Sequence, residues 1–322
     1  MCVTGGAGFI GGHLVDALLS LGCNIRVIDD LSNSKSDHLA ELIEMEPERV
    51  QFIHGSILDD AALNQAMQGA ETVFHLAAMS SVPRSIAEPE RTYAVNVTGT
   101  LRVAEAARRA NARRIVYSAS SSAYGQSTRL PKRETDVPAP VSPYASSKLA
   151  GEHIMLAWAQ SYNISTINLR YFNIFGPRQP ADSPYSAVIA VFARALLAGE
   201  APVIFGDGSQ SRDFTFVANA VLANLLAAAS EKPLAGEVVN VGSGTRTDLL
   251  ALAKSIADLC GVPHLKARHA PPRAGDVLHS QADIGLAGQL LGYTPVVSLQ
   301  DGLTQTIDWY RGVCAACADK EP

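Results

Sequence analysis

Hydrophobic and polar positions follow two periods along the first 120 residues: short apolar runs alternate with stretches of helical spacing. The apolar runs predict strands at residues 1–4, 25–29, 51–54, 72–75 and 114–118. The other stretches predict helices at 10–21, 36–43, 60–67 and 88–110. A helix at 144–161 and a strand at 165–171 continue the alternation. Because strands separated by helices form βαβ units, we expect an α/β fold with a doubly wound parallel sheet.

The composition and the hydrophobic pattern of the chain change after Gly176: Pro and Gly become frequent, and predicted strands become sporadic. This change predicts a smaller, mixed α/β lobe made of residues 177–215 and 243–322. The first lobe would then comprise residues 1–176 with a return segment at about 216–242. A helix at 217–229 and a strand at 238–241 are expected in that return segment.

Composition limits the class of protein. The 322 residues are 47% hydrophobic and 18% charged, with a net charge of −5. This balance argues against binding to nucleic acid or to an anionic membrane surface. No signal peptide is visible, and no apolar run reaches the ~20 residues of a membrane span. The five cysteines are scattered, which is typical of reduced thiols, and Cys314-x-x-Cys317 has no second pair, so we expect a cytoplasmic protein without a metal.

A glycine-rich segment lies between the first predicted strand and the first helix. Gly5, Gly8 and Gly11 form G-x-x-G-x-x-G, in which the glycines permit a tight turn, an approach to a pyrophosphate and close packing of helix on strand. The pattern predicts a Rossmann-type dinucleotide site; a structural turn without a ligand is the alternative. Only residues 1–4 precede the loop, fewer than the ~5–6 of a typical strand. Either the first strand is short or the chain lacks a few natural N-terminal residues.

An acid stands where such a site needs one. Asp29 ends the second predicted strand, 24 residues after Gly5, and can bond the adenosine ribose hydroxyls. A carboxylate at that place repels a 2′-phosphate, so we expect NAD rather than NADP as the cofactor.

Tyr144 and Lys148 are four residues apart on a predicted helix and therefore share one face. We expect the Lys148 ammonium to lie below the Tyr144 ring. A phenol with a pKa of about 10 must lose about 3 units to work near neutrality, and a nearby ammonium together with a cationic nicotinamide can supply this. The pair predicts proton transfer beside a bound dinucleotide.

Over almost its whole length, the chain resembles the extended short-chain dehydrogenase/reductase family, and specifically its nucleotide-sugar 4-epimerases. Besides the glycine loop and the Tyr–Lys pair, the likeness rests on these segments: Asp29-Asp30-Leu31-Ser32-Asn33-Ser34-Lys35, His75-Leu76-Ala77-Ala78, Tyr117-Ser118-Ala119-Ser120-Ser121-Ser122-Ala123-Tyr124-Gly125, Leu169-Arg170-Tyr171-Phe172-Asn173-Ile174-Phe175-Gly176-Pro177-Arg178, Gly206-Asp207-Gly208-Ser209-Gln210-Ser211-Arg212-Asp213-Phe214 and Arg273-Ala274-Gly275-Asp276. The resemblance implies a Rossmann domain followed by a substrate lobe, tightly bound NAD, and an isomerase acting on a UDP-sugar.

The resemblance also implies the residues of the site. The cofactor-binding residues would be Gly5, Gly8, Phe9, Ile10, Gly11, Asp29, Asp30, Leu31, Ser32, Asn33, Ser34, Ser56, Ile57, Leu76, Ala77, Ala78, Asn96, Ser118, Tyr144, Lys148 and Tyr171. The substrate-binding residues would be Ser81, Arg84, Ser120, Ser121, Ser122, Tyr144, Asn173, Val188, Arg212, Phe214, Arg273, Asp276 and Ser280. The catalytic residues would be Ser120, Tyr144 and Lys148. By this likeness Tyr144 takes the proton of the sugar C4 hydroxyl, Ser120 bonds the 4-oxygen, and a 4-keto sugar turns before hydride returns.

Two positions depart from the family pattern: Ser56 replaces a frequent Asp that contacts adenine, and Ala218 replaces an acid after the Arg-Asp-Phe segment. Three other readings stay open. Nucleotide-sugar 4,6-dehydratases carry an Asp-Glu pair, and decarboxylases tend to carry a glutamate, where this chain has Ser121 and Ser122. A non-catalytic NAD-binding regulator on the same fold is the third.

The choice of substrate depends partly on Ser280, four residues after Asp276. In the resembled epimerases this position borders the C2 substituent of the sugar, and a small residue leaves space for an N-acetyl group. We therefore expect activity on UDP-GlcNAc and UDP-GalNAc, with UDP-Glc and UDP-Gal also accepted. In the family, helices that match 88–110 and 144–161 pair in a homodimer; ordinary core packing is the alternative here.

Overall fold

The computed structural model describes residues 1–34, 37–181, 187–272 and 277–318, with side chains up to 313. The predicted α/β alternation is confirmed over the first half of the chain. Its strands are β1 (Cys2–Thr4), β2 (Ile25–Asp29), β3 (Val50–His54), β4 (Thr72–His75), β5 (Arg114–Ser120) and β6 (Ser165–Tyr171). Its helices are α1 (Phe9–Ser20), α2 (Asp37–Met45), α3 (Asp60–Met67), α4 (Val82–Ala87), α5 (Pro89–Tyr93), α6 (Thr100–Arg109) and α7 (Pro143–Tyr162).

The second half is richer in short strands. Its helices are α8 (Val188–Leu197), α9 (Val217–Ala229), α10 (Leu249–Cys260), α11 (Gly285–Leu291) and α12 (Leu299–Ala318). Its strands are β7 (Ile174–Phe175), β8 (Val203–Phe205), β9 (Ser211–Arg212), β10 (Thr215–Phe216), β11 (Ala235–Val241), β12 (Thr247–Asp248) and β13 (Arg268–Ala270). β11 therefore starts earlier than the predicted strand at 238–241.

Seven strands form one parallel sheet in the order β3-β2-β1-β4-β5-β6-β11. From β1 the chain builds outward in one direction to β3 and then crosses back to build in the other. Ligands of such sheets bind beyond the carboxyl ends of the strands at this reversal. The expected Rossmann-type doubly wound sheet is thus confirmed, and the reversal lies between β1 and β4.

Each face of the sheet is covered by helices, as a doubly wound sheet requires. On one face, Leu14 of α1 and Val221 of α9 belong to a buried cluster with Val3 and Val27. On the other face, helices α3, α6 and α7 supply Leu63, Val103 and Met155 to a second cluster. A third cluster joins α8, α10 and α12 outside the sheet. The division of the chain into two lobes stays a prediction.

The predicted helix at 88–110 is present as an unbroken helical stretch from Pro89 to Arg109, but its middle is not α-helical. The structure has α5, then a π-helical segment at Ala94–Gly99, then α6. Within the wider turn, the Asn96 carbonyl accepts a hydrogen bond of 2.6 Å from Thr100 Oγ1. Such π segments are frequent at functional sites, and here the segment carries a predicted site residue.

Candidate active site

The glycine loop has the close approaches that its pattern predicts. Gly5 has a φ of +73°, and a Cβ there would lie 2.6 Å from the Ala77 nitrogen. A Cβ on Gly11 would lie 2.1 Å from the Gly5 oxygen, so only glycine lets α1 start this close to β1. No side chain caps α1 at Gly8, which leaves the end of the helix to a ligand. These features fit the pyrophosphate of a dinucleotide.

Asp29 is held rigidly at the end of β2. Its carboxylate accepts hydrogen bonds from the backbone nitrogens of Ala7 (3.0 Å) and Leu31 (2.9 Å) and from Ser34 Oγ (3.2 Å). Burial nevertheless raises the pKa of Asp29, and these three bonds oppose the rise. The carboxylate thus ties the loop after β2 to the glycine loop and stands where the ribose hydroxyls are expected.

A cleft of about 650 Å³ runs along the carboxyl ends of the strands. Of the predicted cofactor residues, all but Leu31 and Asn96 line it. Leu31 donates a hydrogen bond from its backbone nitrogen to Asp29, and its contact with the cofactor stays a prediction. Sequence reasoning missed Met79, Arg91 and Gln179, which also line the cleft. No motif marks these three, and only the folded chain brings them to the cleft.

Asn96 lies behind the cleft and braces it. Its Oδ1 accepts a hydrogen bond from the Met79 nitrogen (2.8 Å), and its Nδ2 donates to the Met79 oxygen and to Ser147 Oγ. The side chain is 1% exposed. Asn96 therefore joins the loop after β4 to α7, and its place among the cofactor-binding residues stays a prediction.

Helix α7 begins at a well-formed N-terminus, which fixes Tyr144 in its first turn. Ser142 caps the helix by accepting a hydrogen bond from the Ala145 nitrogen (3.1 Å), and Pro143 occupies the first turn. The Tyr144 nitrogen donates to Ser85 Oγ on α4 at 3.1 Å. The ring of Tyr144 is thereby directed into the cleft from a rigid element.

Three hydroxyl groups meet where β5 ends. The Ser120 hydroxyl lies close enough to Tyr144 to lower the pKa of the phenol, and Ser122 Oγ donates to Ser120 Oγ at 2.8 Å. Burial raises the pKa of Tyr144, whereas the Ser120 hydroxyl lowers it. The expected decrease is therefore not produced by the chain's own residues, because desolvation of the phenolate outweighs the effect of this one hydroxyl.

The Lys148 side chain meets an aromatic ring that the sequence did not single out. Its Nζ lies over the ring of Tyr117, 4.4 Å from the centroid, and its place below the Tyr144 ring stays a prediction. The reason is that β5 runs directly beneath α7 and presents Tyr117 to this face of the helix. Lys148 lines the cleft but is only 4% exposed, and burial lowers its pKa to about 7.

Tyr171 closes the cleft at the end of β6. Its hydroxyl accepts hydrogen bonds from Asn224 Nδ2 (2.6 Å) and Ser118 Oγ (3.2 Å). The asparagine comes from α9, so the return segment contributes to the site. Tyr171 is thus held close to Ser118, and its place beside the nicotinamide stays a prediction.

Ser81 and Arg84, predicted to bind substrate, line the same cleft as the cofactor residues. Ser81 Oγ caps α4 by accepting a hydrogen bond from the Arg84 nitrogen at 3.2 Å. The Arg84 guanidinium donates to Asn33 Oδ1 (2.6 Å) and to Glu88 (2.9 Å). Arg84 therefore lies with the residues predicted for the adenosine end.

A second cavity of about 820 Å³ adjoins the first, since Ala187 lines both. It contains the predicted substrate residues Asn173, Val188, Arg212 and Phe214. Ser280 stands beside this group: its Oγ accepts a hydrogen bond of 3.4 Å from Asn173 Nδ2. Arg273 and Asp276 lie outside the described residues.

Asp213, which the sequence did not single out, organises the wall of the second cavity. Its buried carboxylate accepts hydrogen bonds from the backbone nitrogens of Ser243 (2.7 Å), Gly244 (3.0 Å) and Ala282 (3.0 Å). The acid thereby ties the segment that carries Arg212 to the end of β11 and to the chain after Ser280. Its place between an arginine and a phenylalanine in a matched motif was the only available signal.

The sheet, glycine loop and acid define a Rossmann-type dinucleotide-binding protein. A family model described as the NAD dependent epimerase/dehydratase family matches residues 1–242. The chain belongs to this family, which confirms the resemblance to extended short-chain dehydrogenases/reductases and NAD as the cofactor.

The relatives narrow the comparison. The chain is similar to a UDP-glucose 4-epimerase of Mycolicibacterium smegmatis, with 39% identity over 96% of this chain and 97% of that protein. It is also similar to the structure of a UDP-N-acetylglucosamine 4-epimerase from Methanobrevibacter ruminantium in complex with UDP-N-acetylmuramic acid. That similarity has 37% identity and a TM-score of 0.91, and covers 97% of this chain and 98% of that one. A UDP-glucose 4-epimerase from Thermus thermophilus in complex with NAD has 32% identity and a TM-score of 0.87, covering 97% and 98%.

Other activities occur among the relatives. A dTDP-glucose 4,6-dehydratase of Streptomyces niveus is 32% identical over 96% of this chain and 92% of its own length. A UDP-N-acetyl-alpha-D-glucosaminuronate decarboxylase of Bacillus cytotoxicus is 31% identical over 97% of both chains. Similarity therefore places the chain among nucleotide-sugar enzymes without deciding between these reactions.

In the ranges the structure describes, no three or more His, Cys, Asp or Glu side chains are grouped as metal ligands. None of the helices among the described residues is sufficiently long and apolar to cross a bilayer.

Proposed function

We propose that this protein is a UDP-sugar 4-epimerase. The observation that carries the proposal is that Tyr144 and Lys148 line the same cleft as the glycine loop and Asp29, with the Ser120 hydroxyl near enough to lower the pKa of Tyr144. The cleft joins the cavity of Arg212 and Asn173, which offers a guanidinium and an amide to a nucleotide diphosphate. The names of the relatives at 39% and 37% identity support the same reaction.

In this proposal each residue has a defined task. Tyr144, as the phenolate, takes the proton of the C4 hydroxyl and later returns it. Ser120 holds the 4-oxygen and passes the proton, and Lys148 holds the nicotinamide ribose and favours the phenolate. NAD, when bound, supplies the chemistry that takes the C4 hydride and gives it back to the other face of the 4-keto sugar. Because the hydride taken from C4 is returned to C4, and the proton to the 4-oxygen, the reaction has no net redox product.

The pair at Ser121 and Ser122 favours epimerisation over dehydration or decarboxylation. A dehydratase needs an acid and a base next to its catalytic hydroxyl, and neither serine can do that work. In the structure, the Ser122 hydroxyl is moreover bonded to Ser120. We therefore place the dehydratase and decarboxylase activities of the more distant relatives second.

For the substrate we propose UDP-GlcNAc and UDP-GalNAc, with UDP-Glc and UDP-Gal also accepted. Ser280 supports this choice, since it is small and stands against Asn173 in the second cavity. Arg212, Phe214 and Val188 are proposed to bind the nucleotide.

We also propose that the protein is a homodimer. The helices suggested for pairing carry large apolar side chains at the surface: Tyr93, Leu101, Leu156 and Tyr162 are 41%, 41%, 43% and 49% exposed. The family resemblance suggests that these side chains pack against the same helices of a second copy of the chain.

The direct test is to incubate the holoenzyme separately with UDP-Glc, UDP-GlcNAc and UDP-GlcA and to analyse the product sugars. An epimerase converts a UDP-hexose into its C4 epimer without accumulating NADH. A stable 4-keto-6-deoxy sugar, a pentose or no turnover would each overturn the proposal. Tyr144→Phe is the matched control, because it keeps the ring and removes the proton carrier; we expect a fall in kcat of roughly 10²–10⁴-fold.

A further inference from the structure

Lys148 is only 4% exposed, and yet in the proposed function it must carry a positive charge to favour the Tyr144 phenolate. A buried ammonium is costly unless a partner offsets its desolvation. The partner that the structure offers is an aromatic face: Nζ lies 4.4 Å from the centroid of the Tyr117 ring. We propose that Tyr117 is the platform that keeps Lys148 charged and fixes the position of its ammonium, and hence is a positioning residue of the Tyr144–Lys148 pair.

The ring of Tyr117 is itself fixed from several sides. Its hydroxyl donates to the Lys148 backbone oxygen at 3.3 Å. Gly151 leaves the space that the ring needs, because a Cβ there would lie 2.1 Å from the Tyr117 hydroxyl. The His75 ring packs 5.5 Å away at a tilt of 38°. Tyr117 is fully buried, so its face cannot turn away from the ammonium.

An aromatic face has an advantage over a carboxylate at this place. The quadrupole of the ring attracts a cation without bearing a formal charge, and it leaves the N–H groups of the ammonium free to reach a ligand. A carboxylate in contact with Nζ would instead neutralise the field that favours the Tyr144 phenolate. The platform thus holds the charge in the cleft and leaves it available there.

The other charged and titratable groups around Lys148 do not replace the ring. Glu152 on α7 and His75 on β4 interact with its charge, Tyr117 on β5 lies against Nζ, and Tyr144 on α7 and Tyr171 on β6 line the same cleft. Glu152 raises the pKa of Lys148, but its two oxygens accept hydrogen bonds from Arg170 at 2.8 and 2.7 Å. Burial lowers the pKa of His75 to about 3, so this ring stays neutral. Because burial lowers the pKa of Lys148 to about 7, a small further change in this pKa alters the fraction of Lys148 that is charged at neutral pH.

The test measures the pKa of Lys148 directly, in the enzyme without substrate. Trace labelling of the amine with acetic anhydride across a pH series, read by peptide mass spectrometry, gives the pKa of that lysine. Tyr117→Leu is expected to lower it by about one pH unit, whereas Tyr117→Phe, which keeps the face, leaves it in place. Tyr293→Leu is the matched control, because Tyr293 is equally buried (1% exposed) but bonds Gly242 away from Lys148.

A second series keeps the proposal testable if Tyr117→Leu does not fold. Tyr117→Phe carrying one, two or three ring fluorines keeps nearly the same volume while weakening the negative face in steps. The pKa of Lys148 should then fall in steps. A pKa that does not change along this series, or one that drops equally in Tyr117→Phe, would overturn the platform.

The consequence for the reaction rests on the proposed function and has a separate readout. In the proposed function Lys148 acts as the ammonium, so activity is lost as the pH rises through its pKa. Tyr117→Leu should therefore move the alkaline limb of kcat/KM, which reports the free enzyme, to lower pH by the shift found in labelling. A labelling shift without a shift of the limb would overturn the positioning role alone. Failure of the protein to epimerise any UDP-sugar would leave the labelling result intact, so the two failures are distinguishable.

Discussion

At the scale of single residues, the phenol of Tyr144 depends on its neighbour for ionisation. Burial raises its pKa and the nearby Ser120 hydroxyl lowers it, so loss of that hydroxyl should raise the pKa further. A base works only above its pKa, and Ser120→Ala should therefore move the acid limb of the kcat profile to higher pH, by about one pH unit. Steady-state rates between pH 5 and 10 measure this shift. Ser120→Thr keeps the hydroxyl and should keep the limb; an unmoved limb in Ser120→Ala would contradict the prediction.

Also at this scale, Ser280 decides how much room the proposed sugar pocket has. A tyrosine in its place would have to fill the space against Asn173, to which the Ser280 hydroxyl now bonds. We expect Ser280→Tyr to reduce kcat/KM for UDP-GlcNAc by roughly 10–100-fold, the usual effect of about 1–3 kcal/mol of overpacking, and to spare UDP-Glc. Ser280→Ala, which stays small, should keep both substrates. An equal loss of both in Ser280→Tyr would show that this position is not the selector.

At the scale of elements, two neighbouring glycines at the start of α1 have different roles. The close packing of the glycine loop requires glycine at one of them, whereas the other lies in the helix and can accept alanine. A Cβ on Gly11 would meet the Gly5 oxygen at 2.1 Å, whereas a Cβ on Gly12 finds its nearest neighbour at 3.6 Å. Gly11→Ala should therefore distort the loop and weaken NAD binding by roughly 10–100-fold. Gly12→Ala should bind NAD normally and gain up to about 1 kcal/mol of stability from helix propensity.

Calorimetric titration with NAD and thermal unfolding of both glycine variants check this pair. Equal NAD affinity in the two would show that the close approach of α1 to β1 is not what the cofactor requires. A loss of folding in Gly11→Ala would be visible in the unfolding curve and would separate a fold defect from a binding defect.

The elements also show what a sequence can and cannot predict. The period of apolar residues located β2 and β6 to the residue, because each strand needs only its own alternation. The π segment at Ala94–Gly99 within the predicted helix was not predictable, since its Asn96 bonds to Met79 and Ser147, 17 and 51 residues away in the chain.

The same limit applied inside the site. Helical spacing placed Tyr144 and Lys148 on one face, but it could not say which ring the ammonium meets, because Tyr117 comes from a different element. The glycine loop and Asp29 were predictable, since their geometry is local to one βαβ unit. The bracing by Asp213 and Asn96 was not, because it joins segments that only the tertiary fold brings together.

At the scale of the whole molecule, the exposed apolar side chains of the helices around α6 and α7 have a testable consequence. Tyr93 and Leu101 are each 41% exposed, and each would be buried in the proposed homodimer. A chain of 34.0 kDa should therefore migrate at twice that mass in light scattering coupled to size exclusion. Leu101→Glu places a charge in the proposed interface, where an unpaired charge is strongly unfavourable, and should shift the protein toward the monomer.

The control for this change is Val296→Glu, which adds the same charge to a side chain that is 71% exposed outside these helices. It should leave the mass unchanged. Tyr93 also donates a hydrogen bond to Ser146, which is two residues after Tyr144 in the first turn of α7. Loss of the dimer would therefore disturb this turn and should lower kcat together with the mass. Measuring kcat against protein concentration separates the two effects, since a dissociation effect disappears at high concentration whereas a local defect does not. A wild-type protein that is monomeric at every concentration would refute the proposed interface.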